Sequence, residues 1–83
     1  MTKQQVIDKF LFGHFNVKSR NALSVRDGKL YSYSLCIAEH DGQGNVIVYD
    51  YMASGSRGMV SSTTSQHVSL IKRNVPARQL ILD

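Results

Sequence analysis

The chain has 83 residues, enough for a single domain spanning 1–83 and above the limit of about 40 residues below which disulfides or metals are usually needed. Its 42% hydrophobic and 19% charged content excludes wholesale disorder and a fibrous design. Net charge is +4, and a lone cysteine, Cys36, excludes an internal disulfide and a multi-cysteine zinc site, as suits a reducing cytoplasm.

Thr2 is a candidate N-cap for a first helix of about ten residues, with Val6, Ile7, Phe10 and Leu11 on one broad face and Gly13 as its end. Phe12-Gly-His-Phe15 reads as a turn that folds both aromatics back onto the core. The apolar run Val6 to Phe12 is broken by Asp8 and Lys9, so neither a signal peptide nor a membrane span is expected.

From Ala22 the period changes to two. The strands Ala22 to Arg26 and Lys29 to Glu39 flank Asp27-Gly28, a strong hairpin signal. A two-residue turn pairs Arg26 with Lys29, Val25 with Leu30 and Leu23 with Ser32, and puts Ser34, Cys36 and Ala38 on the Leu30 face. Cys36 then reads as a small hydrophobe at a buried position.

The connection His40 to Asn45 leads to a strand Val46 to Met52, and its length decides where the tyrosines fall. A three-residue loop Gly42-Gln-Gly44, with Gly44 left-handed, pairs Asp41 with Asn45, Ile37 with Tyr49 and Leu35 with Tyr51. Tyr31, Tyr33, Tyr49 and Tyr51 then line one face with Leu35, Ile37 and Ile47, while Val46, Val48 and Met52 back onto Leu23, Val25 and Leu30. A two- or four-residue loop splits the tyrosines between faces; the three-residue loop is favoured. Both faces carry apolar residues, so cover is expected on both, from helices or a second subunit.

Ala53 to Ser62 is a Gly- and Ser-rich loop with room for a short strand near Met59-Val60. A second helix from about Thr64 to Asn74 carries Val68, Ile71 and Val75 on one stripe and stops before Pro76. Ala77 to Asp83 reads as a short strand. The expected fold is α+β, in the order α-β-β-β-α-β, a three- or four-stranded, mainly antiparallel sheet packed by two helices.

Chemistry-bearing patterns are weak. Thr63-x-x-Gln66 matches a capping box; a helix start behind glycines also fits a phosphate, with Arg57 as counter-charge, but no Gly-Lys-Ser/Thr makes it a P-loop. Gly55-Ser-Arg-Gly58 is not a nucleophile elbow, and His14, His40 and His67 lack companions at ligand spacing and read as surface or capping residues. Asp41-Gly-Gln-Gly-Asn45 lacks the ligands of a calcium loop and reads as a turn. No catalytic set, metal or cofactor is expected.

Charge is segregated. Residues 1–29 carry +4, residues 30–56 carry −3, and residues 57–83 carry +3. Such a surface can meet an anionic partner with its basic side and argues against a DNA mimic. Arg20, Arg26, Lys29, Arg57, Lys72 and Arg73 are candidates for nucleic-acid backbone contacts, although Lys72 and Arg73 also suit the end of a helix dipole. Tyr31, Tyr33, Tyr49 and Tyr51 suit a sheet core, base stacking, or an aromatic patch for a partner.

Leu30-Tyr-Ser-Tyr33, Ile37-Ala38-Glu39, Asp41-Gly42 and Thr63-Thr-Ser-Gln-His67 resemble a family of short, uncharacterised domains in bacteriophage-encoded proteins, over roughly residues 20 to 73. The resemblance implies a phage or prophage origin and a setting in the bacterial host cytoplasm, and brings no activity or functional residues with it. The combined expectation is a small basic non-enzymatic accessory protein that contacts nucleic acid. The alternatives are an inhibitor or modulator of a host protein that uses the aromatic face, and a homodimer closed by that face.

Overall fold

The computed structural model describes residues 2–19, 22–49 and 62–83. Helix α1 (Lys3–Phe12) starts on Thr2 in a full capping box: Gln5 N donates to Thr2 Oγ1 at 3.1 Å and Thr2 N donates to Gln5 Oε1 at 2.7 Å. Gly13 closes the helix, and Val6, Ile7 and Phe10 are buried, as the spacing predicts. The aromatics that follow stay outside, however. Phe12 is 86% exposed and Phe15 61% exposed. The chain leaves α1 alongside strand β1 (Leu23–Arg26), where Val17 and Val25 exchange backbone hydrogen bonds; this path directs Val17 inward in place of Phe12 and Phe15.

Strand β1 turns through Asp27-Gly28 into β2 (Lys29–Ser32) with the predicted pairs Leu23 to Ser32, Val25 to Leu30 and Arg26 to Lys29. Both turn residues have positive φ, 52° and 75°, the geometry that makes Asp-Gly so effective here. Phe15 lies over the turn, and its carbonyl accepts from Gly28 N at 2.8 Å.

The expected long strand Lys29 to Glu39 is two strands. Tyr33-Ser34 forms a second tight turn, and β3 (Leu35–His40) runs back along β2. An eleven-residue strand at about 3.3 Å per residue would extend ~36 Å, beyond the 30 Å long dimension of the molecule. A one-residue bulge opposite Leu30 then resets the faces: Ile37 is the extra residue, Leu30 pairs with Ala38 and Lys29 with Glu39. Without it, the turn would carry Glu39 to the buried side with Leu35 and Ile37. The bulge adds Ala38 to Leu35 and Ile37 on the core side and releases Glu39 to the other, avoiding a buried carboxylate. The Tyr33-Ser34 turn takes Leu35 and Ile37 off the tyrosine face where alternation places them, and puts Cys36 on it.

Strand β4 (Val46–Val48) follows the three-residue loop in the favoured register, with Ala38 opposite Val48, Asp41 N donating to Asn45 O, and Gly44 at φ 89°. Asp41 organises the loop by accepting from Gln43 N, Asn45 N and Asn45 Nδ2 at 2.7, 3.0 and 2.9 Å. These bonds to the ionised carboxylate lower its pKa.

Helix α2 (Ser62–Asn74) carries the chain to a short 3-10 turn (Ala77–Gln79) and then to β5 (Leu80–Leu82), which pairs parallel with β4. A parallel neighbour requires a crossover, and α2 lies within it. The result is an α+β fold with a mixed five-stranded sheet in the order β1-β2-β3-β4-β5, not the three or four strands expected, and with four strands rather than three between the helices. Helix α2 begins before Thr63, so Thr63 lies within its first turn and is not the N-cap.

Both helices cover one face, α1 over β1 and β2 and α2 over β4. Val6, Ile7, Phe10, Val68 and Ile71 meet Leu23, Val25, Leu30, Ala38 and Val48 in a single core. No described residue of the other face is fully buried, and neither helix packs on it.

Candidate functional site

The open face carries Ser24 and Arg26 from β1, Lys29 and Tyr31 from β2, Cys36 and Glu39 from β3 and Ile47 from β4, with Tyr49 just beyond. Its charged groups are arranged across neighbouring strands. The Arg26 guanidinium lies over the Tyr31 ring, 4.2 Å from its centre, in a cation–π contact. Lys29 Nζ sits 3.5 Å from Glu39 Oε2, and the Tyr49 hydroxyl donates to Glu39 Oε1 at 2.7 Å. That bond to a carboxylate, followed by burial and the charge of Glu39, pushes the Tyr49 hydroxyl up to about 12. The Cys36 thiol is raised by burial and then by Glu39, which keeps it protonated and unreactive; it is only partly buried on this face, not in the core.

The face is thus divided. Its β1–β2 half presents Arg26 and Lys29, whereas its β3–β4 half presents Glu39, Tyr49 and Ile47. Beside β1 a mostly apolar surface groove of about 340 Å³ runs between that strand and the incoming chain, lined by Asn16 to Ser19 and Ser24 to Arg26.

Of the six candidate cations, Arg26 and Lys29 come together on this face. Lys72 and Arg73 occupy the last turn of α2, in the helix layer on the other side of the sheet. Arg20 and Arg57 lie outside the described residues, as do Tyr51, the Met59-Val60 stretch and the hydroxyl run up to Ser61. Among the tyrosines, Tyr31 and Tyr49 sit on the open face as expected, while Tyr33 occupies the turn, 59% exposed with φ 57°.

Sequence reasoning missed a buried polar cluster. Ser32 Oγ lies 2.7 Å from His67 Nδ1 and 3.1 Å from Thr64 Oγ1, joining β2 to α2 inside the core. His67 is fully buried, which corrects its expected surface or capping role, and its Nε2 has no hydrogen-bond partner. Burial, then the charge of Lys3, lowers its pKa and keeps it neutral. A Ser–His contact of this length has nucleophile–base geometry, but both side chains are sealed from solvent, so no substrate can reach the hydroxyl. The available signal was spacing alone: His67 shares the α2 stripe with Val68 and Ile71.

The other histidines fit their expected roles. His40 Nε2 donates to Phe10 O at 2.8 Å, satisfying a carbonyl at the end of α1, and stacks on the Phe10 ring; His14 is exposed. Among the described residues no three His, Cys, Asp or Glu side chains converge on a metal site, and no helix is long and apolar enough to cross a membrane. No protein-family model, curated protein or solved structure matches the chain.

Proposed function

We propose that this is a small, basic, non-enzymatic accessory protein of phage type that contacts nucleic-acid backbone with the β1–β2 half of its open sheet face. The carrying observation is the pairing of Arg26 with Lys29 directly across the Asp27-Gly28 turn on that face. Like charges so placed are mutually unfavourable by a few tenths of a kcal/mol, and an anionic partner relieves them. Glu39 neutralises part of Lys29, so Arg26 and the nearby exposed Lys18 carry most of the attraction. Lys72 and Arg73 form a separate basic site at the end of α2, and one partner engages both only by wrapping around the sheet edge.

The test is direct titration of labelled DNA or RNA at low salt. Binding at micromolar protein should weaken on addition of salt, with a log–log slope of roughly −2 to −3 on duplex DNA for two to three phosphate contacts. No binding of either nucleic acid at low salt removes the proposal. The second reading, docking on a host protein or on a second copy of the chain, is favoured by Tyr31 and Tyr49 on the open face and by exposed Ile81 and Leu82 on β5. Capture of a host protein that survives nuclease treatment, or a dimer in sedimentation at tens of micromolar, would support that reading instead.

A further inference from the structure

Resting on this reading, we infer that the nucleic acid taken by the open face is single-stranded, with one phosphate seated in the groove beside β1 and the adjoining base stacked on the Arg26–Tyr31 pair. Arg26 belongs to both features. It lines the groove together with Lys18, and its guanidinium is already laid over the Tyr31 ring at 4.2 Å.

The groove's wall is mostly apolar, which suits a sugar, and its polar lining groups suit the phosphate attached to it. Two cations, Lys18 and Arg26, line it with the hydroxyl of Ser24 and the amide of Asn16, and there is no carboxylate among its described lining residues. Asn16 is oriented by accepting from Asp27 N, which points its amide donors away from the turn. Next to these groups lies the Arg26–Tyr31 cation–π pair. An arginine already in contact with a tyrosine ring offers, with that ring, a guanidinium and a π surface on which a base stacks.

The same arrangement disfavours a duplex. Paired bases hide their faces within the helix and gain nothing from Arg26 and Tyr31. A duplex also presents two backbones, whereas the cations form a single strip along β1 and β2 that ends at Glu39 on the neighbouring strand. A second phosphate track would meet that carboxylate. One backbone with splayed bases fits both the charge and the aromatic surface.

Fluorescence anisotropy with an oligothymidylate and a duplex of the same length, at roughly 50 mM salt, tests this. The single strand should bind more tightly, and Tyr31→Ala should weaken it at least about fivefold, the scale of one lost base stack, while leaving weak duplex binding unchanged. Arg26→Lys keeps the charge and should still weaken the single strand, because ammonium offers no plane to stack on. Lys18→Ala should reduce the salt slope on the single strand by about 0.7; the same result from Lys72→Ala with Lys18→Ala silent would overturn the seat. Equal or tighter duplex binding, or single-strand binding indifferent to both Tyr31→Ala and Arg26→Lys, refutes this inference and leaves the backbone-contact proposal standing. Absence of binding to either probe refutes both.

Discussion

His67 makes the stability of the protein depend on pH in a defined window. Folding buries the imidazole with Nε2 unpartnered, so the folded state resists protonation that the unfolded chain accepts near pH 6.5. Because the folded pKa is lowered, the contribution is fully present above about 6.5. It is lost as pH falls from there through the folded value, at up to ~1.4 kcal/mol per pH unit. The lowered carboxyl of Asp41 acts below its ordinary value of 3.8, beneath the range in which His67 is followed. Urea denaturation at successive pH values from 7.5 to about 4.5 should show the decline, and His67→Leu should abolish it. At neutral pH that substitution removes one hydrogen bond, worth about 1 kcal/mol, but also removes a buried unsatisfied nitrogen costing about 1–3 kcal/mol. It should be near neutral or stabilising, since Ser32 keeps its 3.1 Å contact with Thr64. Ser32→Ala does the reverse, leaving both ring nitrogens of His67 without Ser32 or another partner, and should cost about 1–3 kcal/mol. A stability that stays flat between pH 7 and 5, or a His67→Leu variant with the wild-type slope, would refute the reasoning.

Tyr49 should ionise near 12 in an ultraviolet titration, and Glu39→Gln should bring it down toward 10, since the carboxylate is the main cause of the rise. That shift favours the folded state below pH 10 and is lost as pH rises from 10 through about 12. Phe10→Ala empties the centre of the core beneath His40 and should cost about 3–5 kcal/mol in chemical denaturation. Tyr33→Gly should stabilise the β2–β3 turn by up to about 1 kcal/mol, because the left-handed conformation costs an ordinary residue ~1–2 kcal/mol and glycine little; a destabilised variant would show that the exposed ring makes a contact stronger than the strain.

The candidate site was legible in part. Arg26 opposite Lys29 follows from Asp27-Gly28 alone, and Tyr49 on the outer face follows from the Gly42–Gly44 loop. The Lys29–Glu39 pair does not, because it depends on the bulge at Ile37, and the position of Cys36 does not, because it depends on the Tyr33-Ser34 turn. A bulge is set by which residues the helices bury, and no local residue preference announces it. His67 escaped for a related reason: a histidine on an apolar stripe is tolerated in the core only because Ser32, thirty-five residues away, supplies a partner.

What the sequence determined by itself is local. The cap at Thr2, the stop at Gly13, the register of β1 on β2, the loop before β4 and the apolar stripe of α2 all rest on residues whose side chains or φ preferences act within a few positions. Tertiary structure decided the rest. Tyr33-Ser34 carries none of the usual signals for its turn, and Tyr33 adopts a conformation it disfavours because folding β3 back onto β2 places Leu35, Ile37 and Ala38 under the helices. The parallel docking of β5 on β4, and the choice of which sheet face both helices cover, likewise come from burying one continuous core, in which long-range packing outweighs local cost.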